Sequence, residues 1–287
     1  MVTVIWIMLI LLSLWFSYFL LTDFKKHKNE LEDVSWVKTG LIGFTVNFFD
    51  TIGIGAFAPQ TALLRATRQT RDKHIPGTLN VANTLPTLAE AIIFIRIIQV
   101  DMVTLIAMLA TAALGAILGA GIVAKLPEQK IRLVMGFALL ITAGFMLARQ
   151  LNWIEGSGTA IALHGGKLVF ACAVNFVLGI LMTAGIGLYA PCMALVYALG
   201  LSPAVAFPIM MGSCAFLMPP ASYKFIKAGA YNRKAAVGMA IPGVAGVLLA
   251  AFVFTKLNIN TLKWIVIGVI IYTSITMLVA YFKKRKE

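Results

Sequence analysis

Apolar runs of about twenty residues, parted by short basic segments, constrain this chain more than anything else in it. The first reads VTVIWIMLILLSLWFSYFLL, and comparable runs recur to the C-terminus. Roughly 20 apolar residues in a helix cross a hydrocarbon core. Only 12% of the 287 residues are charged and 60% are hydrophobic, whereas soluble domains carry roughly a quarter charged. The mean hydropathy is +0.92. These features define a multi-span membrane protein. The net charge of +13 does not point to nucleic acid: Lys and Arg cluster between the runs, as in cytoplasmic loops, and no domain is large enough to offer a binding groove. Cys172, Cys192 and Cys214 fall inside apolar runs without CxxC spacing, so neither a disulfide framework nor a zinc site is expected. The first run lacks a basic leader and a small-residue cleavage site, and TDFKKHKNE follows it. It reads as a retained span with its N-terminus outside.

The chain is duplicated. TIGIGAFAPQTALL (51–64) and TAGIGLYAPCMALV (183–196) match at eight of fourteen positions with an offset of 132. Pro76 pairs with Pro208 and Gly136 with Gly268 at that offset, and AKLPEQKIR (124–132) resembles TKLNINTLK (255–263). The units are therefore an extra N-terminal span with its basic loop (1–35), a first repeat (36–150), an extracytoplasmic connector (151–165), and a second repeat with a basic tail (166–287).

Basic residues give the orientation. If every run crosses, with the N-terminus outside, 15 of the 24 Lys and Arg fall inside and 9 outside. If the motif-bearing runs 39–64 and 168–199 are instead re-entrant hairpins, the division becomes 19 to 5. The positive-inside tendency favours the second arrangement. The expected fold is thus all-α: two inverted repeats, each a broken-helix hairpin plus three transmembrane helices, with one added span and the C-terminus cytoplasmic. Each hairpin enters from its own side of the membrane.

The motif explains the hairpin. Gly53, Gly55, Gly185 and Gly187 weaken a helix and admit backbone conformations closed to other residues. Pro59 and Pro191 lack an amide hydrogen and suit the first turn of a new helix. The motif reads as half-helix, unwound turn, half-helix. Free amides at the second half-helix carry partial positive charge and hold anions, an arrangement used by inverted-repeat transporters. Close helix packing is the alternative use of such small residues.

These paired glycine–proline segments, with GAILGAGIVAKLPEQKIRLVMGFALLITAGFML (115–147), resemble the sulfite exporter TauE/SafE family, also described as toluene-sulfonate uptake permeases. The resemblance covers both halves and leaves out residues 1–35. It implies a transporter of sulfite, organosulfonates or related small sulfur-containing or carboxylate anions. Asp50, directly before TIGIG, departs from the acid-free run usual in the family.

Ionisable groups at membrane depth are functional candidates. Asp50 sits three residues before Gly53, and Glu90 lies midway along a span. One of them is expected to couple transport to proton movement; the competing reading is a structural acid, for Glu90 paired with Arg96. Thr51, Asn83, Thr183 and Ser213 are neutral donors expected at the substrate, with the motif glycines and prolines. No Lys or Arg falls at the expected midplane, which fits weak, reversible anion binding. A P-loop is absent, so no nucleotide site is expected. Nor is a catalytic, cofactor or metal site: the three histidines lie in loops or the connector. The readings that compete with anion transport are a cation carrier or channel using Asp50 and Glu90, and an intramembrane enzyme. The expected partners are a small anion and the lipid bilayer.

Overall fold

The computed structural model describes residues 2–52, 54–94, 100–153, 158–253 and 260–284. Gly53, Arg96 and residues 254–259 of the expected repeat lie outside them. The described residues form eleven α-helices: α1 (Val2–Lys26), α2 (Trp36–Thr51), α3 (Phe57–Ala66), α4 (Ile75–Phe94), α5 (Met102–Val123), α6 (Glu128–Gln150), α7 (Gly165–Thr183), α8 (Tyr189–Ala198), α9 (Pro203–Ala228), α10 (Arg233–Val253) and α11 (Asn260–Lys284). Six of them, α1, α5, α6, α7, α10 and α11, are long and apolar enough to cross a membrane. The chain is a multi-pass membrane protein.

α4 is the instructive exception. It is 20 residues long, yet Thr78, Asn80, Asn83, Thr84 and Glu90 are fully buried along it. Enclosed by α1, α9 and α10, α4 can carry polar groups because protein rather than lipid surrounds them. The lipid-facing surface is the reverse: Leu11, Leu14, Val103, Ile122 and Val279 are all more than half exposed.

The two halves interlock. α2 packs along α10 and α7 along α5; α4 packs on α10 and α9 on α5; α4 meets α9, and α6 meets α11. Every pairing has its counterpart when the halves are exchanged. Backbones approach closely in both broken-helix contacts. A Cβ on Gly43 of α2 would lie 2.2 Å from the Met239 carbonyl of α10, and one on Gly115 of α5 would lie 2.0 Å from the Phe176 carbonyl of α7. Small residues here let helices associate without a hydrophobic drive between them. The partners run in the same direction: along α2 and α10, Thr39 meets Gly238 and Phe48 meets Gly246.

Hydrogen bonds collect the chain turns into two groups. In one, the Ser35 amide before α2 donates to Gln69 Oε1 after α3 at 2.8 Å, and the Asn232 amide donates to Thr78 Oγ1 at 2.9 Å. Asp72 accepts there from Arg65 Nε at 3.0 Å and Arg132 Nε at 2.7 Å. Asp23, at the end of α1, accepts from Arg233 Nε at 2.7 Å and from the Tyr231 hydroxyl at 2.6 Å. Burial first, and then the bond to Asp23, push the Tyr231 phenol up, so it remains a donor. In the other group, the Asp101 amide before α5 donates to Ile161 O at 3.1 Å, and the Ser202 amide after α8 donates to Ala160 O at 2.8 Å. Thus the chain before α2 bonds the chain after α3 in one group, and the chain before α7 bonds the chain after α8 in the other.

Candidate functional site

Both repeated motifs break their helix, and by the same hydrogen bonds. α2 closes at Thr51, and the Ile54 amide reaches back to Phe49 O at 3.2 Å; α7 closes at Thr183, and the Ile186 amide reaches Leu181 O at 3.3 Å. Helix resumes with Gln60 N donating to Ala56 O in one copy and Cys192 N donating to Leu188 O in the other, both at 3.0 Å. Each of these bonds maps onto its counterpart at the offset of 132 seen in the sequence. Pro59 and Pro191 each stand third in the new helix, where no amide donor is required. The copies differ in the turn: Gly55 holds φ at +92° and Gly185 at +105°, and these are not equivalent positions of the repeat.

The breaks converge on one cavity of about 110 Å³. Ile54, Gly55, Ala56 and Phe57 line it from the first break, and Gly187, Leu188 and Tyr189 from the second. Phe57 and Tyr189 occupy the same motif position and open α3 and α8. Asp50, Thr87, Thr142, Arg149, Gln150, Met182 and Cys214 complete the wall.

Glu90 ties the two breaks together. Thr51 Oγ1 lies 2.8 Å from Glu90 Oε1, and the Tyr189 hydroxyl donates to Glu90 Oε2 at 2.8 Å. Thr51 Oγ1 is also 2.9 Å from Asn47 O. A hydroxyl has one proton to donate, so this triad accommodates two states. Thr51 donates to an ionised Glu90, or it donates to Asn47 O while a protonated Glu90 donates to Thr51. Asp50 is 4% exposed; the Ala56 amide at the start of α3 faces its carboxyl, while Oδ1 has no hydrogen-bond partner among the described residues.

Of the residues expected at the substrate, Gly55 and Gly187 line the cavity, as does Asp50, expected for coupling; Thr51 is bonded to Glu90, and neither of these two is on the cavity wall. The others have structural surroundings. Asn83 is locked to Gln60 by reciprocal amide bonds of 2.6 and 2.8 Å. Thr183 bonds Ile180 O at 2.7 Å, Gly185 faces Met135, and Ser213 accepts from Asn175 at 3.1 Å. Pro59 and Pro191 shape their helices. Gly53 is outside the described residues.

Sequence reasoning passed over Tyr189 and Arg149. The repeat did signal Tyr189, as the aromatic mate of Phe57. Arg149 is the penultimate residue of α6; the cavity reaches it because the second break packs against α6. Among the described residues no group of His, Cys, Asp or Glu is arranged to hold a metal ion.

The architecture is that of a polytopic helical membrane protein with two broken helices facing one cavity. The sulfite exporter TauE/SafE family matches residues 1–146, half of the chain, and the chain belongs to that family. Membrane transport of sulfite or a related anion is the activity the family indicates. No curated protein and no solved structure matches the chain.

Proposed function

We propose that the chain carries a small sulfur-containing or carboxylate anion by alternating access, held where the two helix breaks meet. The observation that carries this reading is the shared cavity, walled by both motifs at once. Each new helix directs its first amides toward that region, and such ends favour anions. No charged group other than Asp50 and Arg149 lines the cavity among the described residues.

The repeats are read as inverted, each with a re-entrant hairpin. Supporting this, Ser35 meets Gln69 in one group of turns while Ala160 meets Ser202 in the other. The basic loop 65–73 then faces the cytoplasm and the connector 151–165 the outside. At about 1.5 Å per residue, the 16 residues of α2 and 19 of α7 reach past the middle of a core roughly 30 Å thick. The hairpins therefore overlap in depth, and their tips pass each other before the second helix turns back.

Coupling is assigned to a proton on Glu90. Its hydroxyl partners serve both protonation states, and they belong to the two breaks, so a proton gained or lost changes the bonds between the hairpins. The cation reading keeps one argument of its own, the buried carboxyls of Asp50 and Glu90. Counterflow in proteoliposomes of the purified chain separates the two. Labelled sulfite should exchange against unlabelled sulfite and not against a divalent metal; exchange of metal alone overturns the anion reading.

A further inference from the structure

Arg149 and Asp50 line the same cavity from α6 and α2, and neither takes part in a salt bridge among the described residues. Oδ1 of Asp50 is buried without a hydrogen-bond partner. Buried polar atoms are overwhelmingly satisfied, so an orphaned oxygen on a cavity wall marks a place where something else binds. A carboxyl oxygen that carries no proton accepts a hydrogen bond, and a guanidinium only donates them. One cavity therefore offers a site for an anion and, separately, a site for a donor.

We propose that the cavity is bipolar, with Arg149 holding the anionic head of the cargo and Asp50 receiving a donor on the same molecule. The favoured cargo is then a small oxyanion that bears its own ammonium or hydroxyl group. This inference rests on the transport reading and narrows its substrate class. Arg149 is suited to the role because its planar fork matches the oxygens of a sulfonate or carboxylate. A bare oxyanion brings no donor to Asp50 Oδ1.

The test uses a matched pair of competitors against labelled sulfite in proteoliposomes: ethanesulfonate, and 2-aminoethanesulfonate, which differs by one ammonium group. The wild type should be inhibited by the amino compound at roughly tenfold lower concentration or less, the effect of one charge-assisted hydrogen bond. Asp50→Asn should bring the ratio of the two half-inhibitory concentrations close to one. Arg149→Gln should raise both concentrations and keep their ratio, with Arg149→Lys intermediate. Equal inhibition by the two competitors in the wild type overturns the proposal, and so does an Arg149→Gln protein that binds both as before. The wild-type comparison decides even if a variant fails to fold. Vesicles that carry sulfite without discriminating the pair sink this inference alone. Vesicles that carry no anion sink the transport reading and this inference together.

Discussion

Gly55 shows how much one residue settles. Its φ of +92° is a conformation that an L side chain adopts only at a penalty, and a Cβ there would meet no atom within 4 Å. Gly55→Ala should therefore fail through the backbone and not through crowding. A loss of about 1–2 kcal/mol in thermal unfolding, together with reduced sulfite flux, is the expected result. Gly187→Ala, with open space around it and no positive φ, should leave stability nearly unchanged. At Glu90 the prediction concerns protons. Glu90→Gln removes the titrating group between Thr51 and Tyr189, so flux should lose its pH dependence; a pH profile identical to wild type would remove Glu90 from the coupling role. The motif residues were legible in the sequence because a helix break is a backbone event, and glycine and proline announce such events locally. Asn83 and Arg149 were not legible. The partner of Asn83 is Gln60, on another helix, and no periodicity in either stretch announces that pair. Arg149 sits at the end of an apolar run beside a connector, and only the packing of the second break against α6 brings it to the cavity.

Between elements, close contact replaces the hydrophobic drive available to soluble helices. Gly43→Ala would place a methyl 2.2 Å from the Met239 carbonyl, forcing α2 and α10 apart. Overpacking of this kind costs about 1–3 kcal/mol, so the melting temperature in detergent should fall. Gly121→Ala, with nothing within 4 Å, is the matched control and should melt like the wild type. Polar ties matter at the helix ends as well. Asp72 joins Arg65, at the end of α3, to Arg132, near the start of α6, with its side chain 11% exposed. Asp72→Ala leaves Arg65 without its carboxylate and Arg132 with Glu128 alone, at 2.6 Å, and a loss of about 1–3 kcal/mol should appear in the same melting assay. The helices themselves could be foreseen from run length and charge. That α4 would be the polar, enclosed one was visible only in part: Glu90 stood out, whereas the burial of Asn80, Asn83 and Thr84 depends on the helices around it.

For the molecule as a whole, the proposed inverted arrangement makes a topological prediction. Single cysteines placed in 65–73 should be shielded from a membrane-impermeant thiol reagent in intact cells, and those in 151–165 should be labelled. Labelling of both segments would refute opposed hairpins. The offset of 132 marked the two breaks, whose hydrogen bonds match at that spacing; the packing of each on a helix of the other half was not legible. Each broken helix leans on a helix of the other half, α2 on α10 and α7 on α5. This crosswise embrace means that neither half owns a complete set of neighbours. A lone fragment 1–150 would leave the glycine seam of α2 without α10 and facing lipid. Gene halves expressed separately should thus recover function only when made together.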